Sequence, residues 1–340
     1  MTNPWTGKQV LHPVDPSPYW KVFDHWEDTA NSWEECEAWI RNVVSRMPGR
    51  MFCWRGVSNA DYGLYSSLFR ALANDGASSL PTELEMQDAE QTILDLARRR
   101  FRTDAPTMEL FASLQHFGAP TRLIDVTMNS LIALYFATTG IKASDDASDG
   151  RLFAFGFSRR DIGMHDGATI IARDMDTDRR SEWLATRALP WQTSVKSSTT
   201  GNTDKWRTSA PILWRPARWQ DDQRPWMQQA AFLFSGLASI DGGGDSAAMY
   251  RSVSPGRESP RVPSDVYKGT TNLLLSLGSS NGERRPSDRV HLKTYTLKIG
   301  LTAKQEIRDQ LERAFDVTDS RLFPDMAGMA ERIGETIRQR

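Results

Sequence analysis

Residues 114–127 have the sequence LQHFGAPTRLIDVT, and this stretch joins several elements of the fold. Its first residues complete a predicted helix over 107–118, for which Thr107 is the expected cap. The pair Ala119-Pro120 then turns the chain. A short strand is predicted over 121–126, and an apolar helix follows over 130–138. A helix, a turn, a strand and a second helix in close succession indicate a mixed α and β architecture.

On both sides of this stretch the chain continues to alternate between helices and strands. Ser32 with Glu35 and Thr82 with Glu85 have the spacing of capping boxes and mark two helix starts. The predicted helices cover 32–48, 82–100, 107–118, 130–138 and 302–314, with a turn and a short helix in 321–340. The predicted strands cover 50–57, 121–126, 151–157, 227–234 and 290–299.

These elements predict an α+β fold with a mixed, mostly antiparallel split β-sheet and helices packed against it. Residues 1–30 are expected to be an N-terminal arm, and 31–340 one large domain. Within that domain, 245–286 is rich in Ser, Gly, Pro and Arg, which leaves open whether it is an ordered or a flexible insertion.

Composition excludes several classes of protein. The 340 residues are 39% hydrophobic with a net charge of -1, so the chain can bury a core and lacks a whole-surface attraction for polyanions. Two cysteines exclude a disulfide framework, and five histidines without ligand spacing give no support for a metal site. Without a long apolar run or a signal-peptide pattern, the expectation is a soluble cytoplasmic protein that does not bind a membrane.

Three segments together carry a resemblance to a known family. The segments are Trp54-Arg55-Gly56 with Ser58 and 66–70, then 114–137, then 228–232, with a further match in 322–328. In this order they resemble the FRG-domain family of bacterial and phage proteins, named after a Phe/Tyr-Arg-Gly signature. The resemblance spans roughly 50–332. The chain departs from the pattern at Trp54, where Phe or Tyr is usual, and at Ala230, where Gly is common.

The order of these parts is also similar, more loosely, to that of arginine-type ADP-ribosyltransferases. That similarity implies an ADP-ribosyltransferase-like fold and NAD as a substrate. Arg55 would bind the pyrophosphate or the nicotinamide ribose, and Gly56 would allow close approach of the nicotinamide. The implied NAD site consists of Arg55, Gly56, Ser58, Thr121, Arg122, Thr127 and Ser130.

Departure of nicotinamide passes through an oxocarbenium-like state, which a neighbouring carboxylate stabilises. The matching position carries Gln228, which can hold a hydroxyl but has no charge and cannot act as a base. Asp125 or Glu182 could supply the charge, and His116 could stack on a ring or relay a proton. The predicted catalytic residues are Arg55, Gln228, His116 and Asp125. The chain lacks both a phosphate loop and the dinucleotide-binding glycine pattern, so NAD would be bound without a doubly wound sheet.

Basic and aromatic residues alternate in two stretches, which suits single-stranded nucleic acid. The first is 98–102, and the second comprises Trp214, Arg215, Arg218, Trp219, Arg224 and Trp226. A solvated helix end and a packed loop are the structural alternatives. Structural roles are also open for Arg55, as a buried partner of Asp125, and for His116, as a helix cap.

The sequence is compatible with three functions. The first is an NAD-dependent ADP-ribosyltransferase, with a nucleic acid base or else a protein side chain as acceptor. The second is a non-catalytic module that binds a nucleotide or nucleic acid. The third is a host-interaction protein with an FRG fold. The sequence leaves the oligomeric state open.

Overall fold

The computed structural model describes residues 27–73, 81–140, 145, 147–158, 162–165, 168–171, 186–193, 211–216, 223–237, 271, 273, 275–277 and 292–324. Its strands are β1 Asp28–Ala30, β2 Arg50–Val57, β3 Ile124–Thr127, β4 Gly150–Ser158, β5 Ile162–His165, β6 Ala168–Ile171, β7 Ile212–Arg215, β8 Ala230–Phe234, β9 Leu275–Leu277 and β10 Leu292–Ile299. Its α-helices are α1 Trp33–Arg46, α2 Ser67–Leu72, α3 Glu83–Phe101, α4 Thr107–His116, α5 Ser130–Thr138, α6 Pro190–Thr193, α7 Gln223–Met227, α8 Lys304–Phe315 and α9 Asp319–Leu322.

The ten strands form one open sheet in the order β1-β10-β4-β2-β3-β8-β7-β6-β5, and β9 also pairs with β10. β1 and β9 run parallel to β10, while the other pairs are antiparallel. The predicted α+β class and mostly antiparallel sheet are therefore confirmed. The sheet is not split into two, because β2 and β3 join its halves at one register pair, Trp54 with Thr127.

Helices cover the two halves of the sheet around separate apolar clusters. In the first cluster α1, α5 and α8 pack on β2, β4 and β10, with Trp54 and Ala133 among the buried residues. In the second cluster α3, α4 and α6 pack on β7 and β8, with Phe111 and Phe232 among the buried residues. Residues of β2, β3, β4, β7 and β8 form a third cluster, which also buries Leu64 and Leu273. The first two clusters lie on different halves of the sheet, whereas the third crosses the line where β2 meets β3.

The predicted local signals are mostly confirmed. The Ser32 side chain accepts from the Glu35 N–H, and Thr82 and Glu85 form a complete capping box. The prediction that Thr107 caps α4 is wrong, because Thr107 is the buried first residue of that helix. The helix ends at His116 and not at residue 118 as predicted.

The strand predicted over 227–234 begins only at Ala230. Residues up to Met227 are helical, and Gln229 has a φ of 46°, so the chain turns before the strand. Gln228 therefore lies in a turn and not on a strand.

Some predicted segments fall partly or wholly outside the described residues. Of the predicted arm, residues 27–30 are described, and Asp28–Ala30 forms β1 of the sheet. Of the segment 245–286, only 271, 273 and 275–277 are described, the last forming β9. Both cysteines are buried and unbonded. In the described part of the chain, no helix has the length and apolar character needed to cross a bilayer.

Candidate functional site

Arg55 lies where β2 and β3 separate. The two strands pair only at Trp54 and Thr127, so Arg55 has no register partner in β3. Successive residues of a strand point to opposite faces, and Arg55 therefore leaves β2 on the face opposite Trp54. Its Nη1 reaches across the gap and donates to the backbone oxygen of Asp125 at 2.5 Å. Its Nε is buried without a hydrogen-bond partner.

The carboxylate of Asp125 is exposed but held in place. Gln115 Nε2, near the end of α4, donates to Asp125 Oδ1 at 2.7 Å. The Thr121 hydroxyl donates in turn to Gln115 Oε1. His116 follows Gln115 and contacts Phe117 edge-on, with ring centroids 5.1 Å apart. The turn 115–121 thus positions the acidic side chain beside the gap.

A second arginine, Arg70, lies on α2, which docks beside the start of β3. The Leu68 N–H donates to the Thr121 carbonyl at 3.0 Å, and Ser67 Oγ accepts from the Thr121 N–H at 3.0 Å. These bonds fix α2 against the segment that leads into β3. Arg70, one turn along α2, donates from Nη1 to the Tyr65 carbonyl at 2.7 Å. We refer to Arg55, Arg70, Gln115, Thr121 and Asp125 as the β2–β3 wedge.

The wedge concentrates positive charge. Burial lowers the pKa of Arg55, and the charge of Asp125 acts in the opposite direction. Burial and the positive charge of Arg55 lower the pKa of Arg70 to about 10, again against Asp125. Two partly desolvated guanidinium groups therefore share one nearby carboxylate. Such an arrangement favours the binding of an anion.

Residues 50–146 match the family model of the FRG domain. This part of the chain is similar to the FRG domain. It runs from β2 through α5 and contains every member of the wedge, whereas Gln228 lies outside the match. No curated protein and no solved structure is significantly similar to the chain.

Thr127 and Gln228 lie together, on the face of β3 that also carries the Asp125 side chain. Thr127 Oγ1 donates to the Gln228 carbonyl at 2.7 Å, and Gln228 Nε2 donates to the Leu322 carbonyl at 3.0 Å. Both side chains thus join segments of the chain outside the wedge. Ser130 is the first residue of α5, and its neighbour Asn129 caps the helix by accepting from the Leu131 N–H.

Gly56 and Ser58, which lie within the matched residues, have packed surroundings. A Cβ at Gly56 would be 1.8 Å from the Ala133 carbonyl oxygen, so this glycine allows α5 to lie directly on β2. Ser58 is buried; its hydroxyl donates to Asp145 Oδ2 at 3.3 Å, and its carbonyl accepts from Lys304 Nζ at 2.6 Å. The predicted contacts of Gly56 and Ser58 with NAD stay predictions.

Arg122 is not available to a cofactor. Only 2% of the residue is exposed, and its guanidinium lies 4.4 Å from the ring centre of Trp191. Its N–H groups bind both oxygens of Glu90, both oxygens of Glu83 and the Ser235 carbonyl. Because a guanidinium has five N–H groups, this set satisfies it completely. We therefore exclude Arg122 from the NAD site that the sequence predicts.

Of the residues predicted to bind nucleic acid, some are buried in the core and others lie on the surface. Trp214 is buried against Phe232 with ring centroids 5.8 Å apart, so it has no face to offer a base. Trp226 is 52% exposed, and the Arg215 guanidinium lies 5.9 Å from its ring. Arg224 lies over the ring of Phe323 at 4.7 Å. Arg218, Trp219 and Glu182 lie outside the described residues.

The described residues contain no group of three or more His, Cys, Asp or Glu side chains that could hold a metal ion. The site as described consists of guanidinium, carboxylate, amide and hydroxyl groups. Sequence reasoning identified Arg55, Thr121 and Asp125 and missed Arg70 and Gln115. Both missed residues lie in the quoted segments, and Arg70 has no acidic residue within four positions on either side.

Proposed function

We propose that the protein is an NAD-dependent ADP-ribosyltransferase whose NAD binds at the β2–β3 wedge. The observation that carries the proposal is that two under-satisfied arginines lie near a carboxylate that Gln115 holds in place. A guanidinium presents paired donors that match phosphate oxygens, and the carboxylate provides the negative charge that an oxocarbenium-like ribose requires.

In this proposal Asp125 takes the electrostatic role that the sequence comparison assigned to Gln228. The bond between C1′ of the ribose and the nicotinamide nitrogen breaks, and its electron pair leaves with nicotinamide. The acceptor forms a new bond to C1′ and loses a proton, for which His116, next to Gln115, is the proposed base. Arg55 holds the diphosphate while Asp125 faces the cationic ribose.

The acceptor in the proposal is a base of nucleic acid. Exposed Trp226 with Arg215 beside it offers a ring for stacking and a cation for phosphate, close in sequence to Gln228. A protein side chain is the other acceptor that the experiment includes.

A second candidate function is binding of the nucleotide without turnover. The observation in its favour is that Gln228 has no carboxylate and that its amide already donates to the Leu322 carbonyl at 3.0 Å. A site of this kind would sense NAD or a related nucleotide.

Incubation with NAD labelled in its adenylate phosphate, in the presence of DNA, RNA and protein, tests both functions. We expect label on an acceptor and a fall of about 100-fold or more in Asp125→Asn, since a charge at the developing cation is removed. Asp95→Asn is a matched control, because Asp95 is also exposed and accepts from a glutamine, Gln91 Nε2, at 2.9 Å. Bound NAD without labelled product would favour the second candidate, and folded protein that neither binds NAD nor labels an acceptor would contradict both.

A further inference from the structure

Arg70 is the member of the wedge to which no sequence pattern assigned a role. We propose that Arg55 and Arg70 together bind a diphosphate group in the β2–β3 wedge. This inference names the anion-binding part of the site on which the proposed function rests. It requires binding only and does not depend on transfer of ADP-ribose.

The fold brings the two arginines together from different elements. Arg55 enters from β2 into a gap that the single pairing of Trp54 with Thr127 leaves open. Arg70 comes from α2, which two hydrogen bonds to Thr121 dock beside the start of β3. Both docking contacts are made through the backbone of Thr121, so the position of α2 relative to β3 is fixed without a bound ligand.

The two guanidinium groups use few of their donors within the described structure. Each donates one hydrogen bond, Arg55 to the Asp125 carbonyl and Arg70 to the Tyr65 carbonyl, and both acceptors are neutral. Arg55 Nε is buried without a partner. A buried donor without an acceptor is costly, because it has lost its water without replacement. A ligand with several anionic oxygens would supply the missing acceptors.

Two fully buried arginines of the chain, Arg122 and Arg151, show what is absent at the half-buried Arg55 and Arg70. Arg122 binds two carboxylates, and Arg151 Nε lies 2.5 Å from Glu27 Oε1. Neither Arg55 nor Arg70 forms an ion pair with a described carboxylate. Cations that have lost part of their water are normally paired, so the absence of a described carboxylate partner at these two residues points to a ligand from outside the chain.

The charge of the wedge selects the class of ligand. The positive charge of Arg55 lowers the pKa of Arg70, and a ligand with at least two negative charges would offset both cations. A diphosphate has oxygens enough for two planar donor groups, whereas one carboxylate would satisfy a single guanidinium. NAD, free nucleoside diphosphates and inorganic pyrophosphate share this chemistry.

Calorimetric titration with pyrophosphate, ADP, NAD and a single-stranded oligonucleotide tests the inference. We expect the wild-type chain to bind pyrophosphate and ADP, and Arg55→Gln and Arg70→Gln each to weaken this binding about 10-fold or more. Arg70→Lys keeps the charge and is expected to retain part of the affinity. Arg99→Gln is the control, because Arg99 is exposed and also donates to a backbone carbonyl, that of Asp95.

The outcomes separate this inference from the proposed function. Binding of pyrophosphate and ADP without consumption of NAD would support the diphosphate site and contradict the transferase. Consumption of NAD that Arg70→Gln leaves unchanged would support the transferase and overturn the role of Arg70. Binding of the oligonucleotide but not of pyrophosphate by folded wild-type protein would also overturn the inference. Thermal unfolding and circular dichroism of each variant establish that a lost affinity is not a lost fold.

Discussion

Replacement of Arg122 by methionine is expected to lower the free energy of unfolding by about 3–5 kcal/mol, because it leaves buried carboxylates without their cation. Glu83 is 5% exposed and Glu90 is fully buried, and both bind the Arg122 guanidinium. Methionine fills similar space but offers no positive charge and no donor. Urea denaturation at neutral pH measures the difference.

Two controls accompany this measurement. Burial raises the pKa of Glu90 to about 7, against the effect of Arg122, so its carboxyl readily takes a proton. Glu90→Gln removes that charge but turns one NH2 group toward the donors of Arg122 or Trp191, and it is expected to destabilise less than Arg122→Met. Arg99→Met on the exposed face of α3 is expected to change stability by less than about 0.5 kcal/mol. A loss below about 1 kcal/mol in Arg122→Met would contradict the interior ion cluster.

Gly56→Ala is expected to destabilise the chain by about 3 kcal/mol through overpacking. The added Cβ would lie 1.8 Å from the Ala133 oxygen and 2.6 Å from the Ala137 nitrogen, so α5 would have to move away from β2. Both obstacles are backbone atoms of a helix, which cannot rotate aside as a side chain can. Thermal and urea unfolding measure the loss.

Gly118→Ala is the control for Gly56→Ala, because it tests the cost of an unfavourable backbone conformation without any crowding of the added Cβ. Gly118 has a φ of +85°, but a Cβ there would meet nothing within 4 Å. Alanine at this position is expected to cost about 1–2 kcal/mol from the left-handed conformation alone. If Gly118→Ala destabilised the chain more than Gly56→Ala, the close packing of α5 on β2 would be refuted.

Local features of the fold were predictable because they depend on neighbouring residues. Ser32 and Thr82 cap helices through bonds to residues three positions on, which a sequence pattern reveals directly. The strand over 50–57 and the helix over 130–138 were likewise predicted within their actual bounds. Apolar composition and flanking turn residues are sufficient for such assignments.

Features that depend on distant residues were not predictable. Arg55 and Arg122 belong to two of the segments that resemble the FRG-domain family, and both were predicted to bind NAD. Glu83 and Glu90, which satisfy Arg122, lie 39 and 32 positions before it, so its burial leaves no local trace. The turn at Gln229 depends on a positive φ that a non-glycine residue rarely adopts, and this moved Gln228 off the predicted strand.

The single contact between β2 and β3 is a further long-range feature. The sequence predicts both strands, but strand register at one pair is a property of the assembled sheet. The wedge arises from that register. Its second arginine was therefore found only once α2 was seen to dock on the backbone of Thr121.

A crystal structure of the chain with NAD tests the central claim most directly. The account predicts diphosphate oxygens about 2.7–3.2 Å from guanidinium nitrogens of Arg55 and Arg70, with the nicotinamide ribose beside the Asp125 carboxylate. NAD bound elsewhere on the chain, with the gap between β2 and β3 empty, would contradict it.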